Sequence, residues 1–113
     1  MSDTDPSVYF ALAHEAWQNG QAALAAGNLG DASRWLERAQ RVAPADDAVM
    51  LSLAVLRLRQ GCPSDAERLL ESLTARVDLR EAWLALAAAR LEQGDAQAAA
   101  SALRVALSGQ VLP

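Results

Sequence analysis

The amino-acid sequence predicts an all-α chain of six antiparallel helices, arranged as three helix-turn-helix repeats. Three observations carry this prediction. Hydrophobic residues make up 52% of the 113 positions while aromatics are only 4%. The apolar letters are mostly Ala and Leu, the strongest helix formers, and the strand-favouring Val, Tyr and Phe are scarce. Gly27, Gly61 and Gly94 recur at spacings of 34 and 33 residues, each between two apolar-periodic stretches. Laying the chain over itself at those offsets brings the flanking residues into line, which is the signature of a tandem repeat.

The helix ends can be assigned in order. Asp5-Pro6 supplies an N-cap and a proline at the first helical position, opening a helix over 6–26. A second helix follows Gly27 over 30–42, until Pro44 stops it. Asp46 caps a third over 46–60, and Pro63 opens a fourth over 63–76. Asp78-Leu79-Arg80-Glu81 reads as a capping box for a fifth over 79–93, and Gly94-Asp95 starts a sixth over 95–108. Connections of two to five residues force sequence neighbours to pack antiparallel.

After each glycine the chain repeats one stripe. Ala32, Leu36 and Ala39 correspond to Ala66, Leu70 and Leu73, then to Ala99, Leu103 and Ala106. The i, i+4, i+7 spacing places each trio on one helix face. Before each glycine, Met50, Leu53 and Ala54 correspond to Trp83, Leu86 and Ala87, with Ala16, Asn19 and Gly20 as a looser first copy. A large residue followed by a small one lets a partner helix pass closely.

These residues resemble the tetratricopeptide repeat. Trp83, Leu86, Ala87, Gly94, Ala99, Leu103 and Ala106 match its pattern, as do Gly20, Gly27, Ala32, Leu36, Ala39 and Pro44. The likeness covers about residues 13–109, as repeats near 13–46, 47–79 and 80–109 of one domain, 1–113. Arg57 and Arg90 depart from it, standing where the family usually carries an aromatic, with Ala23 there in the first copy. Asp78 replaces the terminal proline of the second copy. The resemblance implies an α-α superhelical solenoid whose concave face is lined by the first helix of each pair. It also implies protein binding rather than catalysis.

In that register Trp17, Gln21 and Leu24, then Leu51, Val55 and Leu58, then Leu84, Ala88 and Leu91 point into the groove. They form a largely apolar surface, of the kind that marks interfaces, with His14, Arg59 and Glu92 as a polar rim. The family's carboxylate clamp of Lys, Arg and Asn has no counterpart here. Its places carry Trp17, Gln21, Val55, Glu81 and Ala85, and the chain contains no lysine. Binding of chaperone C-terminal carboxylates is therefore not expected.

Leu103, Ala106 and Leu107 on the last helix face where a further repeat would stack. Solenoids end with polar capping elements. This face is therefore expected to pair with a second copy, as in a homodimer, or to be covered by a continuation of the chain. The abrupt ending at Val111-Leu112-Pro113 favours a fragment, the N-terminal part of a longer protein.

Charge excludes other classes. The net charge is −4 and all ten basic residues are Arg, so no basic patch for nucleic acid is expected. Arg usage with so much Ala and Gly suits a GC-rich bacterial source. No apolar run approaches the ~20 residues of a membrane span. The start, Met1-Ser2-Asp3, is unlike a signal peptide, and the single cysteine, Cys62, allows no internal disulfide, so a cytoplasmic setting is expected. No metal, cofactor or catalytic site is expected: His14 is the one histidine, and Cys62 has no basic neighbour to activate it. The stripe Arg34, Arg38 and Arg41, interleaved with Glu37, reads as a solvated face. The function expected is a protein-interaction module binding a partner protein or peptide through the groove. The alternatives are a recruitment or oligomerisation module of a larger bacterial enzyme, such as a glycosyltransferase, and a small secretion-type chaperone.

Overall fold

A computed structural model describes residues 5–108. The tail Gln110-Val111-Leu112-Pro113 and the first four residues, on which two of the expectations above rest, lie outside the described residues. The helices are α1 (Pro6–Ala25), α2 (Leu29–Val42), α3 (Asp47–Arg59), α4 (Pro63–Thr74), α5 (Arg80–Glu92) and α6 (Ala96–Ser108). Every boundary falls within two residues of its sequence-based position.

The caps explain that agreement. The Asp5 carboxylate accepts from Ser7 N at 3.0 Å and Asp46 from Val49 N at 3.1 Å. Asn28 accepts from Asp31 N at 3.2 Å and Asp95 from Ala98 N at 3.0 Å. Gly27, Gly61 and Gly94 have φ of 78°, 79° and 84°. That left-handed turn lets the next amide reach back to a carbonyl five residues earlier. The bonds are Asn28 N to Ala23 O at 2.9 Å, Cys62 N to Arg57 O at 2.8 Å and Asp95 N to Arg90 O at 3.0 Å. The repeat period is thus the period of one C-capping motif.

The capping box at Asp78 does not form. The N-cap of α5 is Leu79, with no side-chain cap bond. Leu79 and Val77 instead pack against the core, which draws Leu79 inward and leaves Asp78 one residue too early. Apolar burial here outweighs the roughly 1 kcal/mol that a cap contributes.

Two clusters make the core. One is built from Ala16, Leu24, Ala32, Leu36, Ala39, Val49, Leu53 and Leu56, the other around Leu70, Leu73, Ala82, Leu86, Ala87 and Ala99. Leu69 touches both, so the core runs on from pair to pair. Sequence-adjacent helices pack together, and α1 also meets α3, as α3 meets α5. The second helices, α2, α4 and α6, do not meet one another. Closer approach on one side bends the array, with α1, α3 and α5 on its concave side.

The two departures at Arg57 and Arg90 are a substitute contact. Arg57 Nη2 lies 3.5 Å from Glu37, and Arg90 Nη2 lies 3.3 Å from Glu71. Glu37 and Glu71 are themselves one repeat apart, so the same helix-to-helix bridge occurs twice. In the second copy Arg90 Nε also reaches Glu67 at 3.1 Å and Gln93 Nε2 donates to Glu67 at 2.8 Å. The hydrogen bonds from Gln93 and Arg90 hold the Glu67 carboxyl below its ordinary value. Glu37 is thus engaged by Arg57 and Ser33. Arg34 pairs with Asp31 instead, and Arg38 lies over the Trp35 ring at 5.1 Å.

Candidate functional site: the concave face

Three first helices present the concave face, and their last turns are covered to different degrees. Leu24, Leu58 and Leu91 occupy one repeat position. Leu24 is 6% exposed and Leu91 61% exposed, with Leu58 half-buried against the core. Leu24 is thus a core residue rather than an open groove residue, which corrects its sequence-based assignment. The cause is stacking: α3 lies beside α1 and its Arg59 Nη1 donates to Leu24 O at 2.6 Å. Among the described residues no helix follows α6 to cover Leu91 in the same way.

The other positions divide between wall and floor. Gln21, Ala88, Leu84 and Leu91 are exposed. Trp17, Leu51, Val55 and Leu58 are half-buried, and Leu51 and Leu58 also pack on the core. A cleft of about 390 Å3 gathers Gln21, the edge of Leu24, Ala25, Leu51, Ser52, Val55 and Glu81. It takes residues from all three first helices, and four of the nine groove positions line it. Trp17, Leu58, Leu84, Ala88 and Leu91 lie outside it.

Ser52 was missed by pattern reading. It is the one buried polar side chain among the described residues, and it sits under the groove. Trp17 Nε1 donates to Ser52 Oγ at 2.8 Å, and Ser52 Oγ donates to Gln21 Oε1 at 2.7 Å. This chain fixes the indole across the α1–α3 seam and satisfies the buried hydroxyl. It also fixes the Gln21 amide, which lines the cleft, through its Oε1. A lone serine inside the apolar run Val49–Leu56 was the available signal.

The face continues beyond the expected residues toward the start of α1. Phe10, His14 and Trp17 follow i, i+4, i+7, and the His14 and Trp17 rings lie 5.6 Å apart. A cleft of about 400 Å3 is lined by these three with Ala13, Asp46, Ala48 and Val49. Next to it, a cleft of about 530 Å3 is lined by Pro6, Tyr9, Phe10, Asp46 and residues 42–45. Phe10 is 70% exposed, and Tyr9, which lines the larger cleft with it, is 50% exposed. The mainly apolar lining and few polar groups suit binding, with no constellation for bond chemistry.

At the far end, Leu36 and Leu70 are fully buried while their repeat partner Leu103 is 41% exposed. Leu107 is half exposed as well. Ala106, expected on the same open face, is buried and corrects that assignment: with Ala99 and Ala102 it forms the stripe turned toward α5.

Among the described residues no group of three or more His, Cys, Asp or Glu side chains could hold a metal ion. Among them, too, no helix is long and apolar enough to cross a membrane. A family model described as Tetratricopeptide repeat matches residues 23–90, more than half of the chain. No curated protein matches it.

Proposed function

The chain belongs to the tetratricopeptide repeat family, a family of protein-interaction modules, and from that premise we propose that it binds a segment of a partner protein in its concave face. The observation that supports this most directly is the cleft shared by α1, α3 and α5, in which apolar Leu51 and Val55 stand beside the polar groups of Gln21 and Glu81. Apolar walls give affinity and a few fixed polar groups give orientation. The carboxylate-clamp mode is not part of this reading, since its places carry Trp17, Gln21, Val55, Glu81 and Ala85 and the chain contains no lysine.

The test uses positions that line the face without holding the fold. Val55 is half-buried outside both core clusters, and Leu84 is 37% exposed. The double variant Val55→Arg/Leu84→Arg should keep the helical circular dichroism and melt within a few degrees of the parent. Proteins captured by the parent from a lysate should be lost with it. Capture unchanged by the variant would contradict a concave-face site.

A second reading is favoured by the exposure of Leu103 and Leu107: self-association through α6. In light scattering over a range of concentrations the parent chain would then be a dimer, and Leu103→Glu a monomer. A monomeric parent at high concentration would remove this reading.

A further inference from the structure

Resting on the concave-face reading, we infer that the occupant is a segment of a partner protein that is apolar and cationic, carrying Arg or Lys. The clefts along the concave face run from Phe10 to Leu24 of α1, about 21 Å at 1.5 Å per residue. Their charged lining residues are Asp46 at one end and Glu81 at the other, and none of the three clefts is lined by Arg or Lys. Several arginines are held elsewhere. Arg34 and Arg68 pair with acids on their own second helices, and Arg57 and Arg90 bridge back to α2 and α4. Arg59, on the rim of the groove, is drawn to the Leu24 carbonyl. Net charge adds to the same sign at −4.

Both carboxylates keep capacity for a ligand. Asp46 uses Oδ1 on Val49 N, leaving its second oxygen open toward the clefts it lines. Glu81 is exposed at the mouth of the central cleft. Between them the faces of Phe10, His14 and Trp17 suit the flat guanidinium or the methylene stem of a cationic side chain. An acidic segment would meet repulsion at both ends, with no Arg or Lys lining the clefts and Arg59 engaged by the Leu24 carbonyl, so charge selects against it.

Selection from a random twelve-residue peptide display library on the immobilised chain tests this. Enriched peptides should combine Leu, Ile or Phe with two or more Arg or Lys and carry net positive charge. A labelled member should bind about three-fold more weakly to Glu81→Gln and to Asp46→Asn, the asparagine preserving the α3 cap. Raising salt from 0.05 to about 0.5 M should weaken it further. Neutral or acidic enriched peptides that Val55→Arg still excludes would overturn the charge inference and leave the concave-face reading standing. So would basic peptides indifferent to Glu81→Gln and Asp46→Asn. No enrichment, or peptides bound equally by folded Val55→Arg, would overturn the concave-face reading and this inference with it.

Discussion

Truncating Leu70 to Ala should destabilise the protein by about 3 kcal/mol, and the same truncation at Leu103 by less than about 1 kcal/mol. The two residues hold one repeat position. Leu70 is fully buried, packed between its own pair and the first helix of the next, and sits in the larger core cluster. Removing its side chain loses the transfer term and leaves a cavity that rigid neighbours cannot fill. Leu103 is 41% exposed, so it gives up less burial and solvent replaces it. Leu36→Ala should behave like Leu70→Ala. Urea denaturation followed by circular dichroism reads all three, and the midpoints should fall for the first two with the slope nearly unchanged. Equal losses at Leu70 and Leu103 would show that α6 is covered in solution, by a second copy or otherwise.

Gly20→Ala should destabilise by about 1–2 kcal/mol, although alanine is the better helix former by about 1 kcal/mol. A Cβ built on Gly20 would lie 2.6 Å from both Cγ and Cδ2 of Leu36. Leu36 is fully buried and cannot withdraw without opening the first core cluster. The missing side chain at Gly20 is what lets α1 and α2 close on each other. Gly30 gives the control within the same helix pair. It is exposed in α2, and its added Cβ would meet only Asn28 Oδ1, at 4.0 Å. Gly30→Ala should therefore stabilise by about 0.5–1 kcal/mol. Opposite signs from one substitution type, read in the same urea titration, separate packing from propensity. A stabilising Gly20→Ala would mean that α1 and α2 are not in that close contact.

Helix number and limits were legible because they depend on local chemistry. Asp, Asn and Pro at starts and left-handed Gly at ends act within a few residues, and the sequence carries them at every turn except one. The exception, Asp78, shows where local reading fails: Leu79 had a core to enter, and no capping rule contains that information. Exposure was less legible because it depends on which neighbour exists. Leu24 and Leu91 share a register position, yet one is core and the other open, since α1 has a following first helix to cover its last turn and, among the described residues, α5 has none. The same reason buries Leu36 and Leu70 and exposes Leu103. Ala106 was misplaced because small residues read alike on either side of a helix whose outer stripe is also apolar.

The polar parts of the site were the hardest to foresee. Ser52 takes its meaning from Trp17 and Gln21, which are 35 and 31 residues away. Arg57 and Arg90 departed from the repeat pattern for a reason visible only with Glu37 and Glu71 in view. Their guanidinium groups reach the preceding second helix where an aromatic ring would otherwise pack. In each case one residue was readable and its partner, on a different helix, was not.

The most direct test of the concave-face site is an amide NMR titration of the 15N-labelled chain with a peptide from a captured partner. Shift changes should gather on Gln21, Ser52, Val55 and Glu81, and the Trp17 indole N–H should move as its bond to Ser52 is perturbed. Residues of α2 and α4 facing outward, such as Arg34 and Arg68, should stay still. Changes confined to α6 or to the outer faces of α2 and α4, with the Trp17 indole signal unmoved, would contradict a site on the concave face.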